Sequence, residues 1–188
     1  MPSEKAEMLR LGEVISQKQE EQEKNPDSRV VLSKVDIGSL LSRYAFCVQG
    51  LATSDDPQFV QCFWEQPSIS NGWEPLLGTV DNSIPYGARE RILLWEEGRG
   101  RYYKHAMALK AIGKLGGWKS GTEARGRRGV AVQQMRNLPC TLYTGEFFDH
   151  NGSVIVPHDE SNLPAIWAFC CSSDFNKAVR QIDQSLKV

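Results

Sequence analysis

Several stretches set acidic or imidazole groups side by side: Asp55-Asp56, Glu96-Glu97, Asp149-His150 and His158-Asp159-Glu160. A carboxylate pair can do acid–base chemistry when its surroundings push the two pKa values apart. Adjacent residues point in different directions on a helix or strand, so such pairs rarely converge on one reacting atom. Each is expected to be a solvated turn. Asp55-Asp56-Pro57 has the composition of a turn, because Asp before proline favours turn initiation and Ser and Asp side chains bond nearby amides.

The five cysteines (Cys47, Cys62, Cys140, Cys170, Cys171) are odd in number and show no C-x-x-C spacing. They predict reduced, mostly buried thiols in a cytoplasmic protein, without a disulfide framework or structural zinc. The three histidines (His105, His150, His158) have no ligand spacing, so no metal site is expected. No phosphate-cradling glycine motif, dinucleotide fingerprint or nucleophile elbow occurs.

Charge is where the chain is distinctive. Residues 1–60 hold seven Lys/Arg against ten Asp/Glu, whereas residues 86–136 hold twelve against four. Within the basic block, Arg99, Arg101 and Lys104 open a helical run, and Lys119, Arg125, Arg127 and Arg128 follow on a glycine-rich loop. Arg offers a bidentate fork to phosphate or a guanine edge, and Lys a point charge. Glycines let backbone approach a phosphate. Tyr102, Tyr103 and Trp118 lie among these cations and could stack on unpaired bases. The seven cations are expected to converge on one wall sized for duplex DNA, with phosphate contacts setting position and base contacts carrying specificity.

The elements that must position them follow from periodicity. Residues 3–24 read as an amphipathic helix with Met8, Leu11 and Ile15 on one face. "RVVL" (29–32) reads as a strand, and Asp36 as the cap of a helix carrying Leu40, Leu41, Tyr44 and Val48. "QFVQCFWE" (58–65) reads as a buried strand, 66–88 as loop, "RILLW" (91–95) as a strand and 101–115 as a helix ended by Gly116-Gly117. "VAVQQM", "CTLYTG" and "SVIVP" read as strands, with Asn151-Gly152 a hairpin signal. A helix over 163–172 and another capped by Asp174, bearing Phe175, Val179, Ile182 and Leu186, finish the chain. The fold class is α+β: a central, small, mostly antiparallel sheet flanked by N- and C-terminal helices. No run of about 18 apolar residues suggests a membrane span.

The stretch "LLSRYAFCVQGLATSDDPQFVQCFWE" (40–65), with "GVAVQQMRNLPCTLYTGEFFDHNGSVIVP" (129–157) and "LPAIWAFCCSSDFNKAVRQIDQSLKV" (163–188), resembles the segment that follows the catalytic domain in large adenine-specific DNA methyltransferases. Those of type IIG restriction-modification and BREX-type phage-defence systems are the nearest. Their pattern G-x-x-T-(G/S)-D-x-x-x-F, where target recognition begins, matches Gly50, Thr53, Ser54, Asp55 and Phe59. The resemblance implies a helical lead-in over 1–48 and a DNA target-recognition domain over 49–188, within a larger protein. It implies double-stranded DNA as the partner, with S-adenosylmethionine bound by the parent enzyme and no cofactor on this chain. The N-P-P-Y motif that holds a flipped adenine is missing: Asn25-Pro26 runs on into Asp27-Ser28. No methyl transfer is expected from this chain alone. A rival expectation is a scaffolding module that docks on a separate methylase or nuclease through the amphipathic terminal helices. A small stand-alone enzyme is a third, for which no nucleophile–base constellation is visible.

Overall fold

The computed structural model describes residues 2–12, 14, 16–25, 28–31, 40–69, 72–114 and 116–183. It opens with α1 (Pro2–Leu11) and the single turn α2 (Gln19–Gln22). The continuous helix expected over 3–24 is therefore two pieces, and Ile15 lies outside the described residues. Met8, Leu9 and Leu11 are all at least 76% exposed. Without a packed apolar face, propensity alone sustains only short helices. Arg29–Val31 forms no strand, although Val31 is buried.

The Asp36-capped helix is not observed over its described part, and Asp36 itself lies outside the described residues. Leu41–Arg43 makes one 3-10 turn, and β1 (Ala45–Gln49) follows as a strand. Phe46, Cys47 and Val48 suit a pleated surface, and β1 pairs antiparallel with residues 153–157 along its whole length. Tertiary pairing overrides the helical spacing of Leu41, Tyr44 and Val48. The division at 48/49 falls inside β1, so the α+β unit reaches back to Ala45 at least.

Asp56-Pro57 starts α3 (Asp56–Phe59), where proline's fixed φ suits the first helical turn. The strand expected over 58–65 shrinks to β2 (Val60–Cys62), followed by a 3-10 turn at Phe63–Glu65. The stretch 66–88, expected to be loop, contains β3 (Trp73–Leu77). β4 (Arg91–Leu94) and α4 (Arg101–Ala111) form as expected. α4 is closed by Gly113 (φ 68°), whose N–H donates to Lys110 O, rather than by Gly116-Gly117. β5 (Gly129–Gln133), β6 (Cys140–Tyr143), β7 (Phe147–Phe148) and β8 (Gly152–Pro157) complete the strands, and α5 (Leu163–Cys170) and α6 (Ser173–Ile182) follow. Ser172, not Asp174, occupies the N-cap position of α6.

The fold class is α+β, with the strands dealt into two sheets. One has the order β1-β8-β5-β6 and is wholly antiparallel; the other, β2-β4-β3-β7, is antiparallel except for the β3–β7 pair. The Asn151-Gly152 turn is made, with Asn151 N–H donating to Asp149 Oδ1 at 2.7 Å. It does not make a hairpin, because it carries the chain from β7 in one sheet to β8 in the other.

Alternation along the strands builds the layers. Val130, Val132 and Ile155 pack with Ile166, Cys170 and Phe175 beneath α5 and α6. Their neighbours Ala131, Val154 and Val156 pack with Leu77 and Phe148, filling the space between the sheets. Leu76, Leu93 and Phe147 pack with Leu51, Phe59 and Tyr102, which seats α4 on the far side of the second sheet. No helix among the described residues is long and apolar enough to cross a membrane.

Candidate nucleic-acid interface

Of Gly50, Thr53, Asp55 and Phe59, Phe59 packs against α4, and the neighbouring Ala52 bonds the 117–121 turn. Gly50 is where the chain leaves the first sheet for the second. Its N–H donates to Gly152 O at 3.1 Å, and the next N–H, of Leu51, donates to Phe148 O at 2.9 Å. The buried Thr53 hydroxyl bonds the Asp56 carboxylate. Ser54 takes a left-handed conformation (φ 62°), where glycine is free of strain. Asp55 O accepts the N–H groups of Gln58 and Phe59, both at 3.2 Å. Asp55 thus closes a helical turn, as the turn reading expected. Phe59 is fully buried, with ring centroids 5.3 Å from Tyr102 and 5.1 Å from His105.

Next to Phe59 lies a continuous aromatic cluster. Trp95 contacts Phe147 (4.7 Å), Tyr102 (6.0 Å) and Trp118 (6.2 Å), and Trp118 contacts Tyr103 at 5.6 Å. Sequence reading named Tyr102, Tyr103 and Trp118 but missed Trp95 and Phe147, which sit on or beside strands and carry no distinguishing local signal. Lys119 Nζ lies 4.7 Å from the Trp118 ring centroid, a cation–π distance.

All seven cations are exposed, and they differ in what else they touch. Arg99, Arg101, Lys104 and Lys119 are exposed around the N-terminal end of α4 and its neighbouring turn. Arg101 Nε lies 3.4 Å from Glu96 Oε1, and Arg99 Nη2 lies 3.3 Å from Glu97 Oε2. Exposed pairs of this kind are weak and can exchange for phosphate. Lys104 lies two residues from the buried Tyr102, on the other side of the helix. Arg128 is exposed on the way into β5.

Arg125 and Arg127 are exposed as well and carry further contacts to the fold. The Arg125 guanidinium stacks 3.5 Å from the Phe147 ring centroid and 5.7 Å from that of Trp95. Burial lowers its pKa, and the nearby Glu74 and Tyr143 oppose that shift. Arg127 turns to the other sheet, with Nη2 donating to Pro157 O at 3.1 Å and the guanidinium 5.0 Å from the Phe46 ring. Replacing Arg125 with methionine is expected to lower stability by about 1 kcal/mol through the lost stacking. A urea melt checks this, and an unchanged midpoint would count against it.

The acidic pairs serve turns and caps. Glu96 accepts the Arg101 backbone N–H at the start of α4. Asp159 accepts the Ser161 N–H at 2.9 Å, which holds its carboxyl below the usual range. Asp149 bonds the Asn151 amide and lies 3.6 Å from Arg91 Nη1. No group of three or more His, Cys, Asp or Glu among the described residues is arranged to hold a metal ion. Cys140 and Cys171 bring their sulfurs to 3.7 Å as free thiols.

A cleft of about 330 Å³, lined by residues including Phe63, Leu76, Tyr86, Arg89, Arg91 and Glu146, went unanticipated. It borders the stretch read as loop. Arg89 is committed there to structure: Nε lies 3.1 Å from Glu146 Oε1, Nη2 donates to Leu142 O at 2.6 Å, and the Tyr86 ring covers it at 4.0 Å.

The chain matches no family model and no curated protein.

Proposed function

We propose that this chain is a DNA target-recognition unit serving an adenine-specific methyltransferase or restriction enzyme whose catalytic machinery lies elsewhere. The observation that carries the reading is Lys119 stacked on Trp118, whose ring meets Tyr103 of α4, the helix that also carries Arg101 and Lys104. Cations beside half-exposed aromatic rings suit a backbone with accessible bases. Arg99, Arg101, Lys104, Lys119 and Arg128 take the phosphate role; Arg125 and Arg127 lie on rings of the fold. S-adenosylmethionine and the methyl-transfer step belong to the catalytic partner, which flips the adenine out of the duplex. We assign the chain to the cytoplasm, in keeping with its free thiols.

Fluorescence anisotropy with a labelled duplex across a salt series tests this. The logarithm of the binding constant is expected to fall linearly with the logarithm of salt concentration, with a slope of about −4.5 if all five cations meet phosphates. Absence of binding at low salt would remove the assignment.

A second reading has one observation in its favour. The apolar residues Met8, Leu9 and Leu11 stand exposed on α1, as they would on a helix that docks into a partner's groove. Co-purification with a separately encoded methylase, in the absence of any DNA shift, would favour that reading.

A further inference from the structure

We infer that Tyr102 is a positioning residue, a latch that ties the Gly50–Phe59 motif loop to the Trp118–Lys119 turn and so orients the DNA-facing cation. The inference rests on the DNA reading above and names the group that holds that surface in shape.

The segments that meet here are far apart in sequence. Ala52 N–H donates to Gly117 O at 3.0 Å. The Tyr102 hydroxyl completes the junction, lying 3.1 Å from Ala52 O and 3.2 Å from Trp118 O. One O–H is thus shared between two carbonyls, one on each side of the seam. Tyr102 is 0% exposed, and its ring is held by Phe59, Trp95 and Trp118 at centroid distances of 5.3, 6.0 and 6.1 Å. Burial, then the nearby Asp56 carboxylate, raise the phenol's pKa. The hydroxyl therefore stays protonated, and a donor, across the physiological range.

The ends of the turn are fixed by backbone geometry. Gly117 and Gly121 both adopt positive φ, 62° and 78°. A Cβ on Gly121 would lie 2.5 Å from the Phe148 ring and 3.2 Å from Gln49 O. The turn is thus pressed against the end of β1 at one side and latched to Ala52 at the other. Between these anchors sit Trp118 and Lys119, which carry the candidate contacts. Removing one oxygen from Tyr102 leaves two carbonyls without their donor, and the turn must shift to hydrate them. Lys119 moves with it.

Tyr102→Phe keeps the ring and removes the latch. With the full chain and a labelled duplex, Y102F is expected to bind about fivefold more weakly at about 0.15 M salt, with the salt slope reduced by about one. That is the signature of one lost phosphate contact. Lys119→Met is expected to give the same slope loss. The double variant Y102F/K119M should be no weaker than either single variant, because both remove the same contact. If Y102F does not fold, Gly117→Ala tests the latch from the other side: its Cβ is disfavoured at positive φ, and it should show the same slope loss. A wild type that binds no DNA overturns the DNA reading and this inference with it. A wild type that binds, with the variant's slope unchanged or with additive losses in the double variant, overturns the latch alone.

Discussion

Replacing Gly50 with alanine is expected to lower the melting temperature by about 10 °C or more, or to leave the chain insoluble. Gly50 needs no unusual φ; what it needs is space. A Cβ built there would lie 2.2 Å from Asp149 O, 2.4 Å from Phe148 O and 2.5 Å from Asp149 C. All three atoms are backbone, so no side chain can rotate away. Relief would require β7 to separate from the β1 end, breaking the Leu51–Phe148 hydrogen bond that ties the chain leaving the first sheet to the second. Overpacking against fixed backbone costs on the order of 3 kcal/mol or more. In a chain of this size, each kcal/mol shifts the melting temperature by about 2–4 °C. Gly116→Ala is the control, since a Cβ at Gly116 meets nothing within 4 Å. Circular dichroism melts of the two variants decide the matter; a Gly50→Ala chain that melts with the control would show that the crossing is not as tight as described.

The second large effect concerns binding. The triple variant Arg101→Ala, Lys104→Ala, Lys119→Ala is expected to bind duplex DNA about a hundredfold more weakly at about 0.15 M salt, with the salt slope reduced by about three. The estimate assumes one phosphate per cation and the counterion release that goes with each. The loss should be nearly the same on every duplex sequence, because phosphate contacts carry no base information. All three side chains are exposed, so the melting temperature should hold. A triple variant that keeps its salt slope while losing affinity would point to a conformational fault and away from phosphate contact. The same variant separates the two readings of the protein: docking through α1 would be untouched by it.

The G-x-x-T-S-D-x-x-x-F spacing was visible in the chain, and so was the cationic block. What Gly50 is for was not. Its role depends on Phe148 and Asp149, about a hundred residues away, arriving against it. The contacts of the cations were equally hidden: Arg125, Arg127 and Lys119 look alike in a list of charges. Phe147 meets the first, Phe46 and Pro157 meet the second, and Trp118 meets the third, while all three residues stay exposed.

The elements show the same division. Val130 to Gln133, Cys140 to Tyr143, Arg91 to Leu94, α4 and α5 were readable, because β-branched runs, helical spacing and glycine or proline punctuation act over a few residues. β1, β3 and β7 were not. The 45–49 run fits either period, Pro75 disguises β3, and β7 has only two residues. Each is a strand because a partner strand offers unpaired N–H and C=O groups that burial would otherwise leave unsatisfied. Sequence alone therefore determined the α+β class and where positive charge is concentrated. Tertiary structure decided which strands pair, how they divide into two sheets, and which ring each of Lys119, Arg125 and Arg127 meets. Backbone hydrogen bonds and ring stacks between distant residues depend on proximity, and proximity is a property of the folded chain.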